Sequence, residues 1–431
     1  MAVRDAIYWN EAGAPDPVVP VADLPRQVDV AVVGAGFTGL ATAIHLARGG
    51  RSVALFEAGK IGHGCSSRNG GMVGPSFHKL GMTGLIAKYG EKKAYAIMQE
   101  GMNALDHFEA FVAEEKLDCD LHMRGRFRGA RTEADYDATA RECERLNKAV
   151  GLPFEMVSRA GQRAEIGSDF YRGGVVYLRD GGIQPRKLVV SLAAKAAEAG
   201  VLMFPECPVT GIRRDGEASE LRCGDTVVRA GEVVVATNAY ADRRTEAMHS
   251  RVVQIETGAV ATEEIPADLM AELSPKGRMF GESGRIFMWF RPTSDGKRFI
   301  FGGRMGSPGC AAEERAAATK TAIARVFPQL ADIGISHAWS GDVAYTPDHA
   351  PHLGFEDGVW LAGGYCGSGV TRSVYFGAKL ARRILGQPDG ETAFDDLAFN
   401  KVPFKPFSRF AAEMMTRWWA WQDARDLCNR V

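Results

Sequence analysis

The first regular pattern of hydrophobic and polar positions begins near residue 28. Residues 28–33 (VDVAVV) form a nearly continuous apolar run, which is typical of a buried parallel strand. The next apolar side chains have helical spacing: Leu40, Ala43, Ile44 and Leu46. Gly49-Gly50 ends that helix, and residues 52–56 (SVALF) form a second apolar run. The pattern therefore predicts a βαβ unit.

Later segments alternate between helical and strand-like patterns. Helical patterns cover residues 82–117, 185–199, 315–327 and 370–385. Another helix is predicted to begin at Thr132, with Asp135 placed for a capping box. Strand-like runs lie at 174–178, 201–204, 208–212, 226–237, 252–262, 277–281, 285–291, 298–303 and 359–363. The runs between 252 and 303 predict an antiparallel meander with a turn at Asp295-Gly296. We expect an α/β fold in which a discontinuous Rossmann-like domain interleaves with an α+β domain carrying a mostly antiparallel sheet.

Composition narrows the classes of protein. The length of 431 residues suggests two or three domains, and 46% hydrophobic with 24% charged residues is ordinary for a globular chain. A formal net charge of −1 gives no electrostatic reason to expect nucleic acid as a partner. No run approaches 18 apolar residues, so no transmembrane segment is expected. The eight cysteines show neither CxxC pairs nor zinc spacing, which predicts reduced thiols, no metal site and a cytoplasmic location.

Glycine is the exception in the composition: it makes up 50 of the 431 residues, about 12%, where about 7% is usual. Several lie in Gly34-Ala35-Gly36-Phe37-Thr38-Gly39, between the first strand and its helix. Gly34 permits the tight turn, Gly36 lets the backbone approach a diphosphate, and Gly39 lets helix and strand pack closely. Glu57 ends the second strand, where a carboxylate can accept ribose hydroxyls. The set predicts dinucleotide binding; the alternative is an incidental glycine-rich turn.

Two further glycine-rich segments are candidates for the same ligand. Residues 63–71 offer small and polar groups for the remaining diphosphate and a reactive ring: Ser66, Ser67, Arg68, Asn69, Gly70 and Gly71. Residues 362–371 repeat the strand, glycine loop and helix pattern with Gly364, Gly367, Gly369, Val370 and Thr371. Because Arg372 stands where a third glycine would be, this helix N-terminus suits another task, such as stabilising charge on a reduced flavin. The alternatives are a polar surface loop and an ordinary turn.

Taken in order, these motifs give the chain a resemblance over nearly its whole length to the D-amino-acid oxidase superfamily of FAD-dependent oxidoreductases. It is most similar to the branch with gamma-glutamylputrescine, glycine and sarcosine oxidases. The resemblance is carried by residues 7–9 (IYW), 29–47, 66–71 (SSRNGG), 181–189 (GGIQPRKLV), 207–212 (CPVTGI), 233–240 (VVVATNAY), 290–303, 345–354 (YTPDHAPHLG) and 363–371 (GGYCGSGVT).

The resemblance implies bound FAD, with the substrate held over the ring by the antiparallel sheet and the adenine side held near the Val209 backbone. It implies an FAD-binding domain of residues 1–80, 150–245 and 330–400, a substrate domain of 81–149 and 246–329, and a helical tail of 401–431. Relatives that attach FAD covalently use a histidine or a cysteine where this chain has Arg68 and Gly341. Noncovalent FAD is therefore expected. Thr371 replaces a lysine that helps sarcosine oxidases use oxygen.

Candidates for the chemistry itself are four side chains: His78, Arg291, Tyr345 and Tyr365. His78 could act as a base or orient the substrate, and the alternative is a surface histidine at a helix start. Arg291 could bind a substrate anion, and the alternative is a structural ion pair. The two tyrosines could line the pocket or simply pack in the core.

The function expected is oxidation of an amine C–N bond to an imine and then an aldehyde or oxoacid, with electrons passing to oxygen or a carrier. The amine could be primary or secondary, an amino acid or a gamma-glutamyl polyamine. The alternatives are a 2-hydroxy-acid or polyol-phosphate dehydrogenase on the same fold, and an FAD-binding subunit without turnover. In the tail, Phe410, Met414, Trp418 and Trp421 have helical spacing. They pack on the parent domain or contact a partner or membrane surface.

Overall fold

The computed structural model describes residues 2–13, 15–20 and 22–428. Residues 1, 14 and 21 of the expected FAD-binding domain and residues 429–431 of the expected tail lie outside the described residues. Within the described part, the helices are α1 (Tyr8–Glu11), α2 (Phe37–Arg48), α3 (Gly81–Tyr89), α4 (Glu91–Glu114), α5 (Glu133–Val150), α6 (Pro185–Glu198), α7 (Glu246–His249), α8 (Ala267–Leu273), α9 (Ala312–Val326), α10 (Val370–Ile384) and α11 (Ser408–Cys428).

The strands of the same part of the chain fall into two large sheets and one small one. They are β1 (Arg4–Asp5), β2 (Gln27–Val33), β3 (Val53–Phe56), β4 (Met72–Val73), β5 (Arg126–Gly129), β6 (Phe154–Val157), β7 (Gly174–Tyr177), β8 (Gly181–Gly182), β9 (Leu202–Phe204), β10 (Val209–Asp215), β11 (Ala218–Cys223), β12 (Thr226–Val235), β13 (Val253–Thr262), β14 (Met279–Glu282), β15 (Trp289–Pro292), β16 (Phe299–Gly303), β17 (Ile335–Tyr345), β18 (His352–Glu356) and β19 (Val359–Gly363).

The eight-stranded sheet contains the predicted βαβ unit. Its order is β10-β11-β12-β2-β3-β9, and β19 pairs with β12 and β18. The strands β12, β2, β3 and β9 run parallel, and so does β19 against β12. Helices cover the apolar strands, as a parallel sheet requires, because α2 packs against α6 and α10 beside β2 and β3. The predicted unit and the α/β fold class are confirmed.

The nine-stranded sheet is mostly antiparallel, as predicted. Its order is β1-β17-β13-β16-β15-β14-β5-β7-β6, with parallel pairing only at β1·β17 and β14·β5 within the described residues. A phenylalanine cluster fills one face: Phe280, Phe290, Phe299, Phe301 and Phe327, all fully buried. The sheet draws strands from distant parts of the chain, which fixes its position against the parallel sheet.

Several elements differ from the sequence prediction. The helical segment expected over 82–117 is two helices, because Gly90 adopts φ +80° between α3 and α4 and turns the chain. The strands β5, β6, β11, β17 and β18 were not predicted. Strands β7 and β17, which lie within the expected FAD-binding segments, pair in the nine-stranded sheet. The division of the chain into domains stays a prediction.

The capping box at α5 is present as predicted, since the Thr132 hydroxyl accepts from the Asp135 amide and the Asp135 carboxylate accepts from the Thr132 amide. None of the helices in the described ranges is both long and apolar enough to span a bilayer.

Candidate functional site

The first glycine loop joins β2 to α2 with the tight geometry that its glycines permit. Gly34 has φ +102°, and a Cβ there would lie 3.0 Å from the Ala236 carbonyl oxygen. A Cβ at Gly39 would overlap the Gly34 carbonyl oxygen. Gly36 caps α2, and a Cβ there would lie 2.8 Å from Ser66 Oγ. The missing side chains therefore open the N-terminus of α2 to the space beside it.

Glu57 lies at the carboxyl end of β3, beside that loop. Its Oε2 accepts from the Ala35 amide at 2.9 Å and its Oε1 accepts from the Gly59 amide at 3.0 Å. Two amides thus orient the carboxylate at the edge where ligands of parallel sheets bind. The ribose contact expected of Glu57 stays a prediction.

The last glycine loop lies against the first one. Tyr365 OH is 2.7 Å from Thr38 Oγ1, and both side chains are buried. Gly377 of α10 packs so closely on α2 that a Cβ there would lie 2.8 Å from Ala41 Cβ. Gly364 and Gly367 have φ +74° and +84°. These values lie in the left-handed region of backbone conformation, which favours glycine. Two segments about 330 residues apart in sequence therefore meet beside one space.

That space is one cavity of about 1550 Å³ between the two large sheets. Sixteen of the residues predicted for the site line it: Gly34, Gly36, Phe37, Thr38, Glu57, Ser66, Arg68, Asn69, Gly70, His78, Val209, Tyr345, Tyr365, Gly367, Gly369 and Val370. Six others lie behind its wall: Gly39, Ser67, Gly71, Arg291, Gly364 and Thr371. Most of the predicted residues therefore surround one cavity, and their roles in it stay predictions.

The 63–71 loop is held mainly by its own hydrogen bonds. Arg68 donates from Nε to the His63 carbonyl and from Nη1 to the Ser340 carbonyl, both at 2.9 Å. Asn69 donates to the Cys65 and Ser66 carbonyls and accepts from the Gly71 amide. Two donors of Arg68 are thus already used by the backbone, and its expected contact with the diphosphate or the reactive ring stays a prediction.

Arg291 requires a correction to its predicted place. It is fully buried and donates to the carbonyl of Ile183 at 2.6 Å, with further bonds to Gly70, Gly71 and Pro292. Its guanidinium also lies 5.6 Å from the ring centre of Trp9. Arg291 thus lies behind the cavity wall and ties the 63–71 loop to the sheet, and contact with a substrate anion stays a prediction.

His78 lies in the cavity wall and is buried. Burial, and next the positive charge of Arg372, lower the pKa of His78 to about 4. Its Nδ1 accepts from the Leu80 amide at 3.2 Å, which assigns the proton to Nε2. Nε2 is buried with no hydrogen-bond partner among the described residues. His78 is thus neutral near pH 7, with an unpartnered donor at Nε2, and its part in orienting a substrate stays a prediction.

Tyr345, Arg304 and Lys79 belong to the wall opposite the glycine loops. Tyr345 OH faces Gly367, where a Cβ would lie 3.7 Å away, and burial raises the pKa of Tyr345. Arg304 follows β16 and lines the cavity near Tyr345. Lys79 lies beside His78, with Nζ 5.6 Å from the ring centre of Phe287. Arg304 and Lys79 were missed because neither belongs to a glycine motif.

Helix α11 covers the cavity, a position that its sequence did not predict. Its inner face supplies lining residues: Ser408, Ala411, Ala412, Met415, Thr416 and Trp419. Asp423 anchors the helix, since it accepts from the Ile286 amide at 2.9 Å and pairs with Arg285 and Arg131 at 2.9 and 3.4 Å. The outer face exposes the large apolar side chains Phe410, Met414, Trp418 and Trp421, and Phe407 just before the helix is exposed as well. Contact of that face with a partner or membrane stays a prediction.

Comparisons with known proteins agree with this geometry. The family model DAO, FAD dependent oxidoreductase, matches residues 29–383. A relative described as probable oxidoreductase OrdL from Rhizobium meliloti is 30% identical over 97% of each chain. Gamma-glutamylputrescine oxidoreductase of Escherichia coli is 28% identical over 88% of this chain and 87% of its own. The crystal structure of glycine oxidase from Geobacillus kaustophilus has a TM-score of 0.71 at 22% identity, covering 88% of this chain and 99% of that one.

The fold and the site define a flavoprotein oxidoreductase, with a dinucleotide cavity formed between a parallel and an antiparallel sheet. The chain belongs to the DAO family of FAD-dependent oxidoreductases. The predicted family, cofactor and enzyme class are confirmed.

The cavity fits FAD by its own features. The open N-terminus of α2, the oriented Glu57 carboxylate and the second helix N-terminus at Val370 lie on one continuous wall. In this arrangement Gly34, Gly36 and Ser66 would hold the diphosphate, and the loop around Gly367 would face the ring.

Proposed function

We propose that the protein oxidises an amine C–N bond to an imine, which water hydrolyses to a carbonyl compound and an amine or ammonia. FAD supplies the hydride acceptor when bound, and its two electrons pass on to oxygen or a carrier. The observation that carries the proposal is the single cavity that joins both glycine loops to a wall with His78, Tyr345 and Arg304. Relatives named for amine substrates, gamma-glutamylputrescine and glycine, support it.

The side chains of the wall suit a neutral amine with an anionic neighbour. An amine loses hydride only in its neutral form, and a cation-rich wall disfavours the ammonium form. The Nε2–H of His78 can donate to the substrate, while Arg304 can pair with a carboxylate near the reacting carbon. Positioning of this kind supplies much of the rate, so no side-chain base is required.

Noncovalent attachment of FAD is part of the proposal. The two positions at which relatives attach FAD are neighbours here, since a Cβ on Gly341 would lie 3.2 Å from Arg68 Cδ. Neither residue offers a nucleophile. Burial raises the pKa of the nearby Cys65 thiol to about 12, so its thiolate is scarce at neutral pH. Acid precipitation of the purified protein should release all of the yellow colour; colour left on the pellet would contradict noncovalent binding.

The function is tested by anaerobic mixing of the purified holoenzyme with panels of amines, amino acids, 2-hydroxy acids and polyol phosphates. Loss of flavin absorbance with an amine or amino acid supports amine oxidation. Bleaching by hydroxy acids or polyol phosphates alone would establish the dehydrogenase alternative, and no bleaching by any panel would favour an FAD-binding subunit. The rate of recolouring on admission of air then distinguishes oxygen from a carrier as the acceptor.

A further inference from the structure

Strand β5 places two arginines on the cavity side of the nine-stranded sheet. Arg126 and Arg128 are two residues apart, so their side chains share one face, and both line the cavity. Phe127 between them points to the opposite face and is fully buried. Arg128 lies opposite Gly281 of β14, which also lines the cavity and has open space where a Cβ would be. The neighbouring strand therefore leaves room in front of Arg128.

Lys79 lies between this pair and the last glycine loop, residues 362–371. The charged or ionisable groups that act most strongly on its ammonium are Cys366, Arg372, Arg126 and Arg128. Lys79 therefore lies between the last glycine loop and β5, among other cations. It remains accessible from the cavity even though protein surrounds it. Its ring partner Phe287 is an aromatic face and not a carboxylate.

The carboxylates in this part of the cavity leave the cluster with positive charge. Asp180 pairs with Arg126, with 2.8 Å between Oδ2 and Nε, and burial raises the pKa of Asp180. Glu142 lines the cavity, but its Oε1 accepts from the Met82 amide at 2.7 Å. Arg128 lies near the Tyr177 hydroxyl, and its charge opposes the rise that burial causes in the pKa of Tyr177. Three cations thus face two carboxylates, and the guanidinium of Arg128 keeps donors for a further anion.

We propose that Lys79, Arg126 and Arg128 form an anion subsite that binds a carboxylate of the substrate remote from the amine being oxidised. The inference rests on the proposed function and narrows its substrate to an amine with a carboxylate at its far end. A carboxylate matches the planar fork of Arg128, and Lys79 adds a second, mobile donor. A polyamine with several ammonium groups would meet repulsion at the same place.

The test measures binding and needs no turnover. Calorimetry on the purified holoenzyme compares straight-chain dicarboxylates from succinate to adipate with monocarboxylates of the same carbon number. We expect at least one dicarboxylate to bind about tenfold more tightly than its monocarboxylate, because a charged hydrogen bond contributes that much. Arg128→Gln and Lys79→Met should each remove most of this preference, and Arg128→Lys should keep part of it.

The matched control is Arg124→Gln, which removes the same charge from an exposed arginine of the same segment outside this cavity. It should leave the preference unchanged. Equal binding of mono- and dicarboxylates by the unmodified holoenzyme would overturn the subsite, and so would a preference that survives both Arg128→Gln and Lys79→Met. If Arg128→Gln loses FAD or folded structure, Lys79→Met decides. Failure of the amine panel with a retained dicarboxylate preference would reject the proposed function alone.

Discussion

Individual side chains decide what the cavity can do with a bound ligand. His78 is neutral and its Nε2–H has no partner among the described residues, so the most it can offer a substrate is one neutral hydrogen bond. We expect His78→Phe to lower kcat/KM for the best substrate of the panel about fivefold, which corresponds to one neutral hydrogen bond. His78→Gln, which keeps a donor, should lose less. The measurement is the rate of anaerobic flavin reduction against substrate concentration.

The pH profile gives an independent check on His78. Its lowered pKa of about 4 means that it stays uncharged from pH 5.5 upward. Unmodified protein and His78→Gln should therefore have kcat/KM profiles of the same shape between pH 5.5 and 8. A limb near pH 6.5 that disappears in His78→Gln would show that His78 titrates and would contradict the assignment.

Lys79 should titrate within the working range. Burial lowers its pKa to about 8, and Arg372, Arg126 and Arg128 add to that effect, while Cys366 opposes it. The charged form that binds an anion is therefore lost as the pH rises through 8. We expect dicarboxylate affinity to fall between pH 7 and 9, and to change much less in Lys79→Met. Calorimetry at several pH values measures it, and an identical decline in Lys79→Met would assign the titration elsewhere.

Arg291 and Arg304 show how far the sequence alone can place a single side chain. Arg291 ends one predicted strand and Arg304 follows another, and the sequence does not record that Arg291 is buried behind the wall while Arg304 lines the cavity. By contrast, Gly34, Gly36 and Glu57 do line the cavity, and a local turn with the strand beside it was enough to single them out.

At the scale of elements, α2 depends on its close approach to the loop before it. A Cβ on Gly39 would overlap a backbone oxygen, which cannot move away as a side chain can. We expect Gly39→Ala to destabilise the protein by about 1–3 kcal/mol and to lower its FAD content. Gly354→Ala is the control, since no atom lies within 4 Å of its Cβ position. Thermal unfolding and flavin absorbance are the measurements; equal behaviour of the two variants would contradict the packing argument.

Helix α11 depends on its anchor at Asp423. Asp423→Ala leaves the buried Arg131 without its carboxylate, a loss of about 3–5 kcal/mol for a buried pair. We expect the helix to detach in part, with a raised KM and faster tryptic cleavage after Arg417. Asp426→Ala removes a half-exposed partner of the same Arg285 and should change little. Similar cleavage rates in both variants would show that Asp423 does not hold the helix.

The elements that sequence missed share a physical cause. Strand β5 is only four residues long, and β17 contains polar residues along its buried length, so neither gives a strong strand pattern. Their strand form comes from pairing with β14, β7 and β13, which are distant in sequence. The unit β2-α2-β3 was predicted well, since its apolar runs and glycine turn are contained in about 30 residues.

For the whole molecule, FAD should act as a bridge between the two glycine loops. Ligand binding to the folded state alone stabilises it by about 2.7 kcal/mol at a hundredfold excess over Kd. We expect FAD added to the apoprotein to raise the Tm more than riboflavin at the same concentration does. Riboflavin has the ring but lacks the diphosphate and adenine that the α2 N-terminus and Glu57 would hold. An equal shift in Tm would show that these groups contribute little.

The overall architecture was predictable as a class, while its detailed assembly was not. Parallel and antiparallel sheets followed from the apolar runs and the turns between them. The pairing of β17 with β13 and the position of α11 over the cavity depend on contacts between chain segments far apart, which no local pattern records.

The position of α11 also has a consequence for biosynthesis. The cavity-lining residues from Val33 to Val370 come earlier in the chain than the residues of α11 that cover the cavity, Ser408 to Trp419, which form its roof. At about 5–20 residues per second, a ribosome needs some 2–10 s to make the stretch between them. A nascent chain thus passes through a stage in which both glycine loops exist and the roof does not. We expect cofactor entry to be easiest then, so that FAD supply during synthesis, more than later addition, sets the occupied fraction.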